Sequence, residues 1–221
     1  GAGTRLQPLT DDCPKCLVDI GGQPLIDYQL QALRSVGVDD VVLVVGCKEE
    51  QVRAHCGDAV RYISNADYLS TNSIDSLYLA ASEFDVAVFL FNCDILFQPE
   101  VLQRLLGSGY GNAVAVDSGV ELVANEMNVR FGMDRQVTAI SKALDPASAQ
   151  AQSVQLVKFD AAGAQQVQRE VQRLVEGNYQ DAFPTSAYGT LIEEGKLFAV
   201  EVGDLSWGEI DSVEDHENAK V

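Results

Sequence analysis

The feature that most constrains this fold is a regular exchange between short apolar runs and longer amphipathic ones. "PLIDYQLQALRSV" (24–36) puts Leu25, Tyr28 or Gln29, Ala32 and Val36 on one stripe, with Ile26, Leu30 and Leu33 beside it. Pro24 suits a first helical turn and Gly37 the position after a last one, so this spacing predicts a helix. "DDVVLVVG" (39–46) then reads as a buried strand, "KEEQVRAHCG" (48–57) as a polar helix and "AVRYIS" (59–64) as a short strand. Thr71 or Asn72 can cap a helix through "SIDSLYLAASEF" (73–84), and "DVAVFLFNCD" (85–94) reads as a second fully apolar strand. A helix over 99–108 and a strand over 112–117 follow.

Such alternation implies βαβ units with right-handed crossovers. The expected fold is α/β: a three-layer α/β/α sandwich with a Rossmann-like, mostly parallel mixed sheet. The second half adds antiparallel strands. "NEMNVRFGMDRQVTAISK" (125–142) alternates with period two around Gly132-Met133-Asp134, as a hairpin would. A strand over 153–160, a long amphipathic helix over 161–177, a strand over 197–202 and a helix start after 212 complete the pattern. We read a single domain over 1–221, with a nucleotide-type core in 1–116 and an added half in 117–221.

Charge narrows the partners. Thirty-three acids against 15 bases give a net charge of −18, which excludes the basic face that a nucleic-acid binder needs. Phosphate-bearing small molecules remain open if their positive contacts are few and local. Apolar runs are strand-length, so no membrane span is expected. Five scattered cysteines read as reduced thiols of a cytoplasmic protein, and Cys13-Pro-Lys-Cys16 lacks the further ligands of a zinc site.

Three stretches can carry chemistry. In "GAGTRLQPLTDDCPKCL" (1–17), Gly1 and Gly3 let backbone N–H groups approach an anion, Arg5 offers a fork of donors and Lys15 follows Pro14. Alone, a GxG is equally a surface loop, and the spacing is neither that of a P-loop nor GxGxxG. "FLFNCDILF" (89–97) delivers Asp94 at the C-terminal end of a strand, where open α/β sheets place ligand groups and where a carboxylate can hold Mg²⁺ or merely cap a turn. In "SWGEIDSVEDHENA" (206–219), Glu209 and Asp211 share a side if extended, an arrangement that calls for a cation; alternatively Asp211 or Ser212 caps the last helix.

Together these stretches resemble the nucleotidyltransferases that activate sugar phosphates and alcohol phosphates. Gly1, Gly3, Thr4, Arg5, Leu6, Pro8, Leu9, Thr10, Pro14, Lys15, Leu17, Pro24, Leu25 and Ile26 fall in register with the family's N-terminal signature. "NCD" (92–94) and "WGEID" (207–211) resemble its two metal motifs, with Cys93 where the family commonly has Gly. The resemblance implies that Gly1, Ala2, Gly3, Thr4 and Arg5 grip the nucleotide triphosphate and that Lys15 holds phosphates at the reaction centre. Asp94 and Asp211 would bind Mg²⁺. A phosphate or phosphonate acceptor attacks the α-phosphorus, pyrophosphate leaves, and a homodimer is an assembly the family allows. The family's first strand lies before this motif, so residues preceding Gly1 are expected in the natural protein.

"NADYLSTNSIDSLYLA" (65–80) resembles phosphocholine cytidylyltransferases and their phosphonate-activating relatives, which points to CTP and to Asn72, Ser73 and Ser76 on the nucleotide side. The acceptor-binding half would be 117–221. "NYQDAF" (178–183) resembles the stretch near the ammonium group in choline-type enzymes, so Tyr179, Asp181, Trp207 and Glu209 could form a cation site with Lys15 at the phosphate; Tyr179 and Trp207 could equally be packing residues with polar tips. The expected function is a Mg²⁺-dependent cytidylyltransferase for phosphocholine or 2-aminoethylphosphonate. The rivals are a sugar-1-phosphate or inositol-1-phosphate nucleotidylyltransferase and a non-catalytic nucleotide-sensing module. Intact Arg5, Lys15, Asp94 and Asp211 argue against the last.

Overall fold

Pro24 ends a small ribbon and admits the first helix, as its fixed φ dictates. In the computed structural model, which describes residues 3–177, 179 and 182–219, β1 (Asp19–Ile20) and β2 (Gln23–Pro24) pair antiparallel and lead into α1 (Leu25–Ser35). This helix buries Leu25, Ile26, Leu30, Ala32 and Leu33, the stripe read from the sequence. β3 (Val42–Val45), α2 (Glu49–Cys56) and β4 (Arg61–Ser64) then form a parallel βαβ unit, with Val42 opposite Arg61.

α3 (Ser73–Leu79) starts on an Asn72 capping box and is shorter than the 73–84 expected, because the chain tightens into a 3-10 turn at Ala81–Glu83. β5 (Val88–Phe91) and β6 (Ile95–Phe97) flank the Asn92-Cys93-Asp94 turn, and α4 (Glu100–Gly107) leads to β7 (Asn112–Asp117). β5 is half-buried rather than fully buried, and among the described residues it pairs along one edge, with a strand of the second half.

That half supplies the hairpin of β8 (Asn128–Phe131) and β9 (Val137–Ser141), then β10 (Ala151–Phe159), α5 (Ala161–Glu176), α6 (Gly189–Glu193), β11 (Leu197–Glu201), β12 (Trp207–Glu209) and α7 (Val213–Asn218). The main sheet is six-stranded and runs β11-β7-β10-β8-β9, with β5 also on β10. It is mixed: β11 and β7 are parallel, whereas β10 is antiparallel to β7, β8 and β5. β10 first pairs β8 through Ala151 and Gln152, then β5 through Leu156–Phe159, and its register against β7 shifts between Ser153 and Val157.

Burial gives the layers. β7 sends Val114 and Val116 into a core with α3, α5 and α6, and Ala113 and Ala115 into a core with α1 and α4. Helices therefore cover both faces of the sheet, giving the α/β/α arrangement. β12 pairs antiparallel with β6, Glu209 opposite Ile95, which draws the end of the chain onto the Asp94 turn. No helix among the described residues is long and apolar enough to cross a membrane.

Candidate active site

The site forms where the opening loop meets the β5–β6 turn and the end of β12. Gly3 adopts φ 65°, and a Cβ there would come within 3.1 Å of Thr10 Cγ2, so both the conformation and the crowding favour glycine. Its carbonyl accepts from Thr10 Oγ1 at 2.8 Å. Leu6 is fully buried while Thr4 and Arg5 on the same 3-10 turn face solvent, so one apolar anchor holds the turn and leaves the cation free to reach the site. Just before α2, Lys48 Nζ donates to the carbonyls of Thr10 (2.8 Å) and Asp11 (2.6 Å), clamping the loop from outside. Gly1 and Ala2 lie outside the described residues.

Lys15 is the hub. Its ammonium donates to Asp94 Oδ2 at 2.8 Å and forms a second, short contact to Asp211 Oδ1, while Arg5 Nη2 reaches Asp211 Oδ2 at 2.7 Å. The Lys15, Asp94 and Asp211 side chains are only 13–21% exposed, whereas Arg5 is 76% exposed. Burial alone would lower the Lys15 pKa, but the two carboxylates outweigh it and leave it raised. Burial likewise opposes ionisation of Asp211; hydrogen bonding and charge from Lys15, then Arg5 and a hydrogen bond from Glu209, take it below the ordinary carboxylate value.

Two backbone devices bring Asp94 and Asp211 together. Ile210 N donates to Asp94 O at 2.8 Å, extending the β6–β12 pairing by one step. Ser212, not Asp211, caps α7: its hydroxyl accepts from Asp215 N, and Asp215 Oδ2 accepts from the amides of Asp211 (3.0 Å) and Ser212 (2.7 Å). The cap thus fixes the Asp211 backbone and leaves its carboxylate for the cluster.

Glu209 is the third acid. Carboxylate oxygens of Asp94, Glu209 and Asp211 lie within 4.8 Å of one another. Burial first, then the charges of Asp94 and Asp211, push the Glu209 pKa up to about 7. Asp94 Oδ1 is buried without a hydrogen-bond partner among the described residues. Crowded hard oxygens with an orphaned lone pair fit a divalent cation such as Mg²⁺, for which Asp94 and Asp211 are the ligands to expect, with Glu209 beside them.

The nucleotide-side candidates sit apart, on α3. Asn72 accepts from Ile74 N at 3.0 Å as the cap, Ser73 is exposed, and Ser76 Oγ accepts from the buried Asn65 at 3.1 Å. Gly46 lets this loop close in, since a Cβ there would stand 2.8 Å from Tyr68 Cβ and 3.0 Å from Asn65 O.

On the acceptor side, Trp207 Nε1 donates to the buried Asp117 at 2.8 Å and its ring packs on the core shared with α1 and α4. Tyr179 is exposed, with the Arg173 guanidinium 6.0 Å from its ring centroid, and Asp181 lies outside the described residues. The structure does not gather Tyr179, Trp207 and Glu209 into one cage by any contact among the described residues.

Two residues near Glu209 were missed by the sequence reading. Lys142, just after β9, stands 5.9 Å from the Phe183 ring centroid, and its charge partly offsets the upward push on Glu209. Gln155, in β10, has φ 58° and donates from Nε2 to Glu209 Oε2 at 2.8 Å. A left-handed conformation costs a non-glycine residue about 1 kcal/mol, which marks this position as one where the side chain matters. The one sequence hint is a polar residue interrupting "SVQLVKFD".

Comparison with known proteins identifies the family. Over 224 residues the chain is 30% identical to the choline-phosphate cytidylyltransferase of Streptococcus pneumoniae, covering 98% of this chain and 92% of that protein. A solved structure of the CTP:phosphocholine cytidylyltransferase from Streptococcus pneumoniae superposes with a TM-score of 0.80 at 26% identity, covering 99% of this chain and 93% of that one. A 143-residue stretch is 36% identical to the CMP-5'-(3-aminopropyl)phosphonate synthase of Streptomyces rubellomurinus, covering 62% of this chain but only 23% of that protein's length. The family model of the MobA-like NTP transferase domain matches residues 1–185, the stretch that carries Arg5, Lys15 and Asp94. With Asp211, just beyond β12, completing the same cluster, the chain belongs to the MobA-like NTP transferase family and is a nucleotidyltransferase.

Proposed function

We propose that this nucleotidyltransferase moves CMP from CTP to a small phosphorylated amino-alcohol or aminoalkyl phosphonate, of the phosphocholine or 2-aminoethylphosphonate type, and releases pyrophosphate. The observation that carries the reading is the Lys15 ammonium shared between Asp94 and Asp211, with Arg5 on the outer oxygen of Asp211. A nucleotide triphosphate needs cations beside acidic metal ligands, and this acidic chain concentrates both at one point.

Each residue then has a task. Arg5 and the turn at Gly3–Thr4, with Gly1 and Ala2 before it, take the triphosphate. Asn72, Ser73 and Ser76 belong to the segment placed on the nucleotide side, in the 1–116 portion. Lys15 stands where the α-phosphate meets the acceptor, and Lys142 adds a second cation on the acceptor side, in the 117–221 portion. The acceptor oxygen is already anionic near neutral pH, so it attacks the α-phosphorus without a general base. A new O–P bond forms, the bond from the α-phosphorus to the bridging oxygen breaks, and its electron pair leaves with pyrophosphate. Catalysis is therefore positioning and charge neutralisation by Arg5 and Lys15. Asp94 and Asp211 would hold Mg²⁺, which would supply further neutralisation of the triphosphate.

The cationic head would lie against Glu209, in the half of the chain that also carries Tyr179 and Asp181; Trp207 is tied to Asp117 and packs on the core. The acceptors in the names of the relatives, choline phosphate and 3-aminopropylphosphonate, share such a head. Pyrophosphate release measured with each of four nucleoside triphosphates against phosphocholine, 2-aminoethylphosphonate, glucose-1-phosphate and inositol-1-phosphate tests the reading. Turnover confined to CTP and the two amino acceptors supports it; turnover confined to UTP or dTTP with a hexose phosphate overturns it.

A further inference from the structure

Gln155 lies where β10 leaves β8 and joins β5, inside the register shift between Ser153 and Val157. Its neighbours Val154 and Leu156 are fully buried in one core cluster, and Gln155 turns out between them at φ 58°. Gln155 N donates to Ser153 Oγ at 2.9 Å, which holds the bulge from within the strand. Both ends of the side-chain amide are engaged. Nε2 donates to Glu209 Oε2 at 2.8 Å, and Oε1 accepts from Asn92 Nδ2 at 2.8 Å. Because Asn92 can only donate through that nitrogen, it turns the carbonyl of Gln155 toward itself and the NH₂ toward the carboxylate. Asn92 is held in turn, since the buried Gln29 of α1 donates to its carbonyl at 3.1 Å and to that of Ile95 at 2.8 Å.

We infer that Gln155 is a positioning residue that fixes the Glu209 carboxylate and so sets which acceptor head group the site takes. The relay from Gln29 through Asn92 and Gln155 to Glu209 joins α1, the Asp94 turn, β10 and β12, so the acceptor wall and the acidic pair are braced by one set of hydrogen bonds. A carboxyl group anchored on one oxygen by a rigid neutral donor presents its other oxygen in a fixed direction to a compact ammonium head. Glycine would take this backbone conformation without strain, so what Gln155 adds is its amide, engaged at both ends. The inference rests on the acceptor reading proposed above and names a residue that controls it.

The test compares wild type with Gln155→Gly and Gln155→Glu. Glycine adopts this φ freely, so Q155G removes the amide without straining the backbone; Q155E keeps the volume and removes the donor. For both, the KM for the amino acceptor is expected to rise about tenfold or more, as befits a lost hydrogen bond to a charged group. The KM for CTP should stay within about twofold, and the Tm of Q155G should equal or exceed that of wild type. An acceptor KM within about twofold of wild type in Q155G overturns the role of Gln155. A wild type that turns over only hexose or inositol phosphate instead overturns the amino-acceptor reading, and the same KM comparison with that phosphate still decides on Gln155.

Discussion

Ile210 N donates to Asp94 O at 2.8 Å, carrying the β6–β12 pairing one step further, onto the turn that holds Asp94. It places Asp211, one residue beyond, beside Asp94, with the Lys15 ammonium between their carboxylates. The cluster is thus an ion network assembled by strand pairing, in which Arg5 and Lys15 are ion-paired to Asp94 and Asp211, with Glu209 as a third acid beside them.

Removing the central cation should expose that balance. Lys15→Ala leaves Asp94, Glu209 and Asp211 facing one another, and a stability loss of roughly 1–3 kcal/mol is expected for breaking a part-buried network of this kind. Thermal melts with and without Mg²⁺ check it. The ion should raise the Tm of K15A more than that of wild type, because the acids of the variant lack their resident counter-charge, while CMP transfer is lost. Equal Mg²⁺ shifts in the two proteins would count against the network.

Asp215 acts through the chain rather than on substrate. Its Oδ2 accepts from the amides of Asp211 and Ser212, so Asp215→Ala should cost about 1 kcal/mol as a lost cap. It should also lower kcat about tenfold or more by letting Asp211 move. Asp215→Asn keeps an acceptor oxygen and should recover most of the rate. Equal kcat for D215A and wild type would separate the cap from the site.

Much of this was legible in the sequence, and the reasons are physical. α1, the βαβ unit of β3, α2 and β4, and the β8–β9 hairpin follow from periodicity and local capping, which need no knowledge of distant residues. Asp94 stands out because it follows an apolar strand, and Asp211 because it shares a side with Glu209 across Ile210. Other features depend on long-range pairing. Trp207 finds Asp117 only once β12 lies beside the sheet, and Gln155 reaches Glu209 only because β10 changes partners at its bulge. The end of α3 at Leu79 was likewise hidden, since Ala80–Glu83 carry ordinary helix-compatible residues.

Away from the site, Glu201 gives a pH signature. Burial would raise its pKa, but the Ser118 hydroxyl, then the amides of Ser118 and Gly203, hold it below the ordinary carboxylate value. A depressed carboxylate contributes stability that is fully present above its unfolded pKa of about 4.3 and is lost as pH falls through the folded value. Glu201→Gln lacks this titration. The Tm gap between wild type and E201Q should therefore be largest near neutrality and shrink below about pH 4. A gap independent of pH would show that these hydrogen bonds do not favour the ionised form.

In the proposed reaction the cluster of Arg5, Lys15, Asp94 and Asp211 joins CMP to a small amino-bearing phosphate or phosphonate. Phosphorus-31 NMR of the protein mixed with CTP, Mg²⁺ and 2-aminoethylphosphonate, with phosphocholine in a parallel tube, reads the new bond directly. The CTP resonances should fall as signals of a CMP-linked acceptor and of pyrophosphate rise in equal amounts, and Asp94→Asn should abolish both. Unchanged CTP with both acceptors, alongside turnover of a hexose phosphate with UTP or dTTP, would contradict it.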